Sequence, residues 1–175
     1  TAAGALHSRV IEIGGVRVAG LGGTFLPHVW AGNARPRLHR REQLATDLTA
    51  IRRGLSSDQA SAAMHFLATT AIWPEDVEKL ARQKADVLVT HDAPSSHPEG
   101  SLVLDELSRA MGAGLIVHGH HHITSQAQAV DGLRVLGVGD AWAVGMDGKV
   151  VWRGGKRERP LPQAGEGWVL QLITA

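Results

Sequence analysis

The period of hydrophobic and polar positions changes several times along the chain, and each change marks an element. Residues 9–13 and 16–21 alternate β-branched and polar side chains around Gly14-Gly15. This predicts a β-hairpin whose glycines supply the positive-φ turn. Gly22-Gly23-Thr24 closes it as a flexible loop, and Pro27 to Arg41 has no period and reads as irregular. From Glu42 to Arg53, with Leu44, Leu48, Ile51 and Leu55 at helical spacing, an amphipathic helix is expected, ending at Gly54. Ser56-Ser57-Asp58 can cap a second helix with Ala60, Ala63, Met64, Leu67 and Ala71 on its apolar stripe. Trp73-Pro74-Glu75-Asp76 opens a third, with proline in its first turn and acids at its positive end.

Two short apolar runs follow. Asp86-Val87-Leu88-Val89-Thr90-His91 and Leu115-Ile116-Val117-His118 have the unbroken hydrophobicity of strands buried on both faces. Between them Ser101 caps a helix to Met111, stopped by Gly112 and Gly114. Strand, helix and strand make a βαβ unit, so both strands run parallel and end on one edge, where ligand sites of open α/β sheets collect. His91 and the Gly119–His122 turn are therefore expected to be neighbours. Two hairpins follow, turning at Asp131-Gly132 and Asp147-Gly148. Gly154–Gly167 reads as a loop, and Gly167–Ile173 as a closing strand.

Composition narrows the function classes. The 175 residues are 43% hydrophobic and 20% charged, as in ordinary globular proteins. A net charge of +1 gives no global pull toward nucleic acid, which is not indicated as a partner except as a substrate. Without cysteine, thiolate metal sites and cysteine nucleophiles are excluded. No apolar run approaches the roughly 20 residues of a membrane span, and no signal peptide is visible. The expectation is a cytoplasmic protein with no membrane partner.

The chemistry concentrates at His118-Gly119-His120-His121-His122. Along an extended backbone His120 and His122 point the same way, with His121 pointing elsewhere and Gly119 easing the turn. Paired imidazoles suit a divalent transition metal. A His-x-His alone also occurs in other metal classes. Metallo-β-lactamase-like sites call for His-x-His-x-Asp-His, whereas Ile123-Thr124-Ser125 follows here. Amidohydrolase-like sites place the pair early in a barrel. Arg35, Arg37, Arg40 and Arg41 form a candidate phosphate-binding lip, because arginine grips phosphate bidentately, with an ordinary solvated loop as the competing reading.

Val87-Leu88-Val89-Thr90-His91-Asp92-Ala93-Pro94, followed after one helix by Leu115 to His122, resembles the second half of a calcineurin-like metallophosphoesterase. The resemblance covers roughly residues 9–152. It implies an α/β fold of two mixed β-sheets in a sandwich flanked by helices, as a single domain over residues 1–175 that is N-terminally incomplete. It implies hydrolysis of phosphate mono- or diesters by a metal-activated hydroxide at a dinuclear centre of two divalent ions, Mn, Fe or Zn. Carried over by position, His91 and His120 resemble ligands of one metal and His122 a ligand of the other. Asp92, Asp140 and His121 are candidates for orienting the ligand imidazoles, with hydrogen bonding within its own loop as the competing reading for Asp92. The family's upstream Asp-x-His, Gly-Asp-x-x-Asp and Gly-Asn-His motifs are missing, and the chain opens Thr1-Ala2-Ala3-Gly4 without methionine. The expectation is that an N-terminal portion lies outside this sequence. The alternative is a binding or regulatory protein on the same fold, without catalysis.

Overall fold

A computed structural model describes residues 6–32, 35–45, 54–154 and 168–172. Seven of its strands form one mixed sheet: β1 (Arg9–Ile13), β2 (Val16–Leu21), β5 (Val87–Thr90), β6 (Leu115–His118), β7 (Ser125–Ala129), β8 (Arg134–Gly137) and β11 (Trp168–Leu172). Their spatial order is β1-β2-β5-β6-β8-β7-β11. Strands β2, β5, β6 and β8 are mutually parallel, with Leu21 beside Thr90, Thr90 beside His118 and His118 beside Gly137. Strands β1 and β7 pair antiparallel to their neighbours, as hairpins require. Two further ribbons pair β3 (Trp30–Ala31) with β4 (Arg35–Pro36) and β9 (Trp142–Val144) with β10 (Val150–Arg153).

The helices are α1 (Ser57–Thr70), α2 (Pro74–Ala81) and α3 (Leu102–Met111). Ser56 and Gln59 cap α1 reciprocally, each side chain meeting the other's backbone N–H. Pro74 starts α2, and Gly112, at φ 75°, ends α3 in the left-handed region that glycine adopts without strain. The helix expected over Glu42–Arg53 begins as a 3-10 turn at Arg41–Ala45 with Leu44 buried; its remainder, and residues 155–167 of the late loop, lie outside the described residues.

The period-2 rule divides the sheet into two unlike faces. Ala19, Leu21, Leu88, Ile116 and Val135 face a core built with Leu67, Leu80, Leu104, Leu107, Met111 and Trp73 from the helical side. Val87, Leu115 and Leu136 face the other way and meet Val144 and Val150 of the β9–β10 ribbon. Apolar runs in β5 and β6 are thus needed because both faces are covered. The fold is mixed α/β with one large sheet. Among the described residues no helix is long and apolar enough to cross a membrane.

Candidate metal centre

Four parallel strands end on one edge, and their following loops carry the functional groups: Gly22-Gly23-Thr24 after β2, His91-Asp92 after β5, Gly119–His122 after β6 and Val138–Ala141 after β8. The expected neighbourhood forms. The rings of His91 and His120 meet edge-on with centroids 4.7 Å apart. Asp92 sits against both: its Oδ1 is 3.0 Å from His91 Nδ1 and 3.6 Å from His120 Nδ1. Its Oδ2 accepts the Phe25 backbone N–H at 2.8 Å, which fixes the carboxylate. Thr24 Oγ1 lies 3.3 Å from His91 Nδ1.

The donor set fits a divalent metal. Ligands about 2.1 Å from a tetrahedral ion stand about 3.4 Å from each other, close to the two Asp92–imidazole separations. Without a metal, the 3.0 Å separation equally lets His91 Nδ1–H donate to Asp92, the orienting role expected from sequence. Asp92 is nearly buried while both imidazoles are exposed, so an ion can enter from solvent.

His122 separates from this trio. Its Nδ1 lies 3.7 Å from Asp140 Oδ2 on the loop after β8. The extended backbone expected across the turn is not found. His120 and His122 adopt φ values of 64° and 59°, and Ala141 follows at 61°. Gly119 is not among the positive-φ glycines, so the histidines themselves make the turn. Non-glycine residues in the left-handed region carry local strain, which persists only where the surroundings enforce it. His120 thereby turns toward Asp92 while His122 turns toward Asp140.

A cleft of about 150 Å³ opens beside the trio, lined by Thr24, Phe25, Asp92, Glu99, His120 and His121 among others. Gly23, before Thr24, packs closely on the end of α1: at φ 106° any Cβ there would come within 2.7 Å of the Thr70 carbonyl oxygen. His118, buried beneath the turn, is pushed down to about 4 by burial, with His121, His97 and His120 adding to the effect and the Gly119 carbonyl opposing it. It is a neutral packing residue at neutral pH. Burial, aided by His120, also lowers the His97 imidazole, against the pull of Glu99.

The arginine lip is organised differently. Arg41 donates to Glu75 Oε1 at 2.6 Å and to Asp76 Oδ2 at 2.5 Å, and its guanidinium lies 5.6 Å from the Trp73 ring centroid. Arg40 pairs with Glu75 and Glu78 at 3.7 and 3.6 Å. Both therefore dock onto the acidic first turns of α2, where the carboxylates already suit the helix dipole. Arg35 and Arg37 are exposed. Sequence reading does not single out Thr24, His97 or Glu99. The available signals were a Gly-Gly-Thr loop at the end of a parallel strand and a His-x-Glu step in a Ser/Pro/Gly-rich loop.

No protein-family model matches the chain. Over 121 residues it is 39% identical to an uncharacterized protein of Haemophilus influenzae, a match covering 67% of this chain and 49% of that protein. The chain thus spans about half the length of the curated relative it matches.

Proposed function

We propose that this chain carries the metal-binding edge of a phosphoesterase that hydrolyses phosphate mono- or diesters. The observation that supports this reading is the convergence of His91, Asp92 and His120 at the carboxyl edge of β5 and β6, with His122 and Asp140 alongside. His91, His120 and Asp92 would hold one divalent ion, and His122 with Asp140 would contribute to a neighbouring one. Such ions supply a nucleophile at neutral pH by acidifying water and offset charge on phosphoryl oxygens. Imidazole with carboxylate suits Mn²⁺, Fe or Zn²⁺.

The chain's own residues do the positioning. Phe25 N–H locks one Asp92 oxygen and leaves the other facing the imidazoles. Thr24 stands where its hydroxyl can donate to a phosphoryl oxygen or to His91. The cleft admits a phosphate group and a small part of its alcohol. In this reading the seven-stranded sheet is one layer of a sandwich, and the β9–β10 ribbon belongs to the second layer on the Val87–Leu115–Leu136 face.

Mn²⁺-dependent hydrolysis of p-nitrophenyl phosphate and bis(p-nitrophenyl) phosphate tests the proposal. Turnover of either ester that disappears with a chelator and returns with Mn²⁺ is the expected result. Absence of turnover with every metal of this class would remove the catalytic reading and favour a binding role.

A further inference from the structure

The His97–Glu99–His121 group is a second concentration of metal-ligating chemistry, and none of the family-derived ligands belongs to it. We propose that His97, Glu99 and His121 form a second zinc-type cation site, adjoining the first through the His120–His121 ring contact, that ties the Pro94–Gly100 loop to the Gly119–His122 turn. It does not depend on phosphoester hydrolysis.

Three observations carry it. One ligand atom from each residue lies within 4.8 Å of the others. Two imidazoles with one carboxylate are the donor set of zinc sites that keep a fourth position open. The His97 and His121 rings stack face to face, with centroids 3.6 Å apart and planes 14° from parallel. The stack brings the Pro94–Gly100 loop and the Gly119–His122 turn into direct contact.

The loop is built to hold that position. His97 N–H donates to the Pro94 carbonyl and Gly100 N–H to the His97 carbonyl. At Gly100 a Cβ would fall 1.8 Å from the Pro94 oxygen, so only glycine closes this turn. Ser95 is braced from two sides: its N–H donates to the buried Asp105 carboxylate at 3.1 Å, and its Oγ accepts Trp168 Nε1–H at 3.0 Å. His97 and Glu99 therefore sit on a braced loop. Glu99 is exposed, which gives an ion access from solvent.

Binding requires two adjustments. His97 Nδ1 accepts the Glu99 N–H at 3.2 Å, so coordination through Nδ1 replaces that long hydrogen bond. The two rings must also splay, because stacked imidazoles aim their lone pairs side by side. Both changes are local to side chains and one backbone contact.

The test uses the full chain and Zn²⁺ alone. In the His91→Gln/His120→Gln background, which disables the first centre, titration calorimetry is expected to show about one equivalent of zinc bound. Adding His97→Gln is expected to abolish it. No zinc bound in the double variant overturns the proposal, and so does binding that survives His97→Gln. If the double variant does not fold, imidazole ¹⁵N spectra of the wild-type chain decide. Zinc must shift the His97 and His121 resonances, and unmoved resonances at saturation overturn the site. Because these readouts are binding and ring chemical shifts, a failed phosphatase assay leaves them unaffected.

Discussion

Two clusters of charged or chargeable side chains attract attention in this sequence, and they end in opposite situations. At the strand edge, three charged or chargeable groups, His91, Asp92 and His120, face one another and solvent. In the loop before α1, Arg40 and Arg41 are drawn onto Glu75, Asp76 and Glu78, and Arg41 is two-thirds buried. The first arrangement leaves the donor atoms converging on a point where an ion can sit. The second satisfies its cations internally, and Arg41 staples the Arg41–Ala45 turn to α2. The difference is one of geometry. The β5 and β6 carboxyl ends project imidazoles and a carboxylate beyond the last backbone pair, whereas the arginines lie flat against a helix N-terminus whose acids complement them.

The largest effect expected from this contrast is catalytic. His91→Ala or His120→Ala should reduce metal-dependent turnover by at least about 100-fold, since even partners of metal ligands are worth 10–100-fold. Far-ultraviolet circular dichroism should be unchanged. Arg41→Ala should do the reverse. It leaves Asp76 without the Arg41 guanidinium, with His7 at 3.4 Å as its remaining ion-pair partner among the described residues, and should cost about 2–3 kcal/mol in denaturant unfolding while metal affinity holds. Equal loss of metal binding in both variants would erase the distinction between the clusters.

A smaller effect concerns pH. Burial raises the Asp105 carboxyl above its ordinary value, against the Ser95 hydrogen bonds. The folded state therefore keeps this proton at pH values where the unfolded chain has lost it. The sign follows: stability falls as pH rises from the unfolded value through the folded one, and is recovered on acidification. Asp105→Asn, which still accepts the Ser95 N–H, should remove that part of the pH dependence. Melting curves at about pH 4 and about pH 8 check it; an identical pH difference in variant and wild type would contradict it. Smallest of all is the Arg17–Asp86 pair on the surface. Asp86 is held at about 2 by Arg17, so its contribution is present above the ordinary carboxylate range and lost as pH falls through about 2. Both side chains are solvated, and Arg17→Ala should return the Asp86 titration toward normal with little change in melting temperature.

Much of the fold was legible because local rules and burial agreed. The unbroken Val-Leu-Val and Leu-Ile-Val runs marked strands covered on both faces, and the Ser101 cap and Gly112 stop bounded the helix joining them. The right neighbours followed from βαβ topology, which is why His91 and His120 were expected together. Their detailed aim was not legible, because it depends on His120 and His122 entering left-handed conformations that neither residue prefers. Asp92 read either as an orienting group or as a loop residue bonding its own backbone; in the structure the Phe25 N–H holds one of its oxygens while the other lies against both imidazoles. Arg41 read either as part of an anion-binding lip or as a solvated loop residue, because spacing cannot show that Glu75 and Asp76, more than thirty positions away, pair with it. The His97–His121 stack was invisible for a similar reason: it joins loops that meet only in three dimensions.

The most direct test of the account measures bound metal and Mn²⁺-stimulated ester hydrolysis together, in the wild-type chain and the His91→Gln/His120→Gln variant prepared identically. The account predicts metal and turnover in the wild type, with turnover and about one equivalent of metal lost in the variant. Equal metal content and equal turnover in the two preparations would contradict it, as would a wild-type chain that binds no metal after loading.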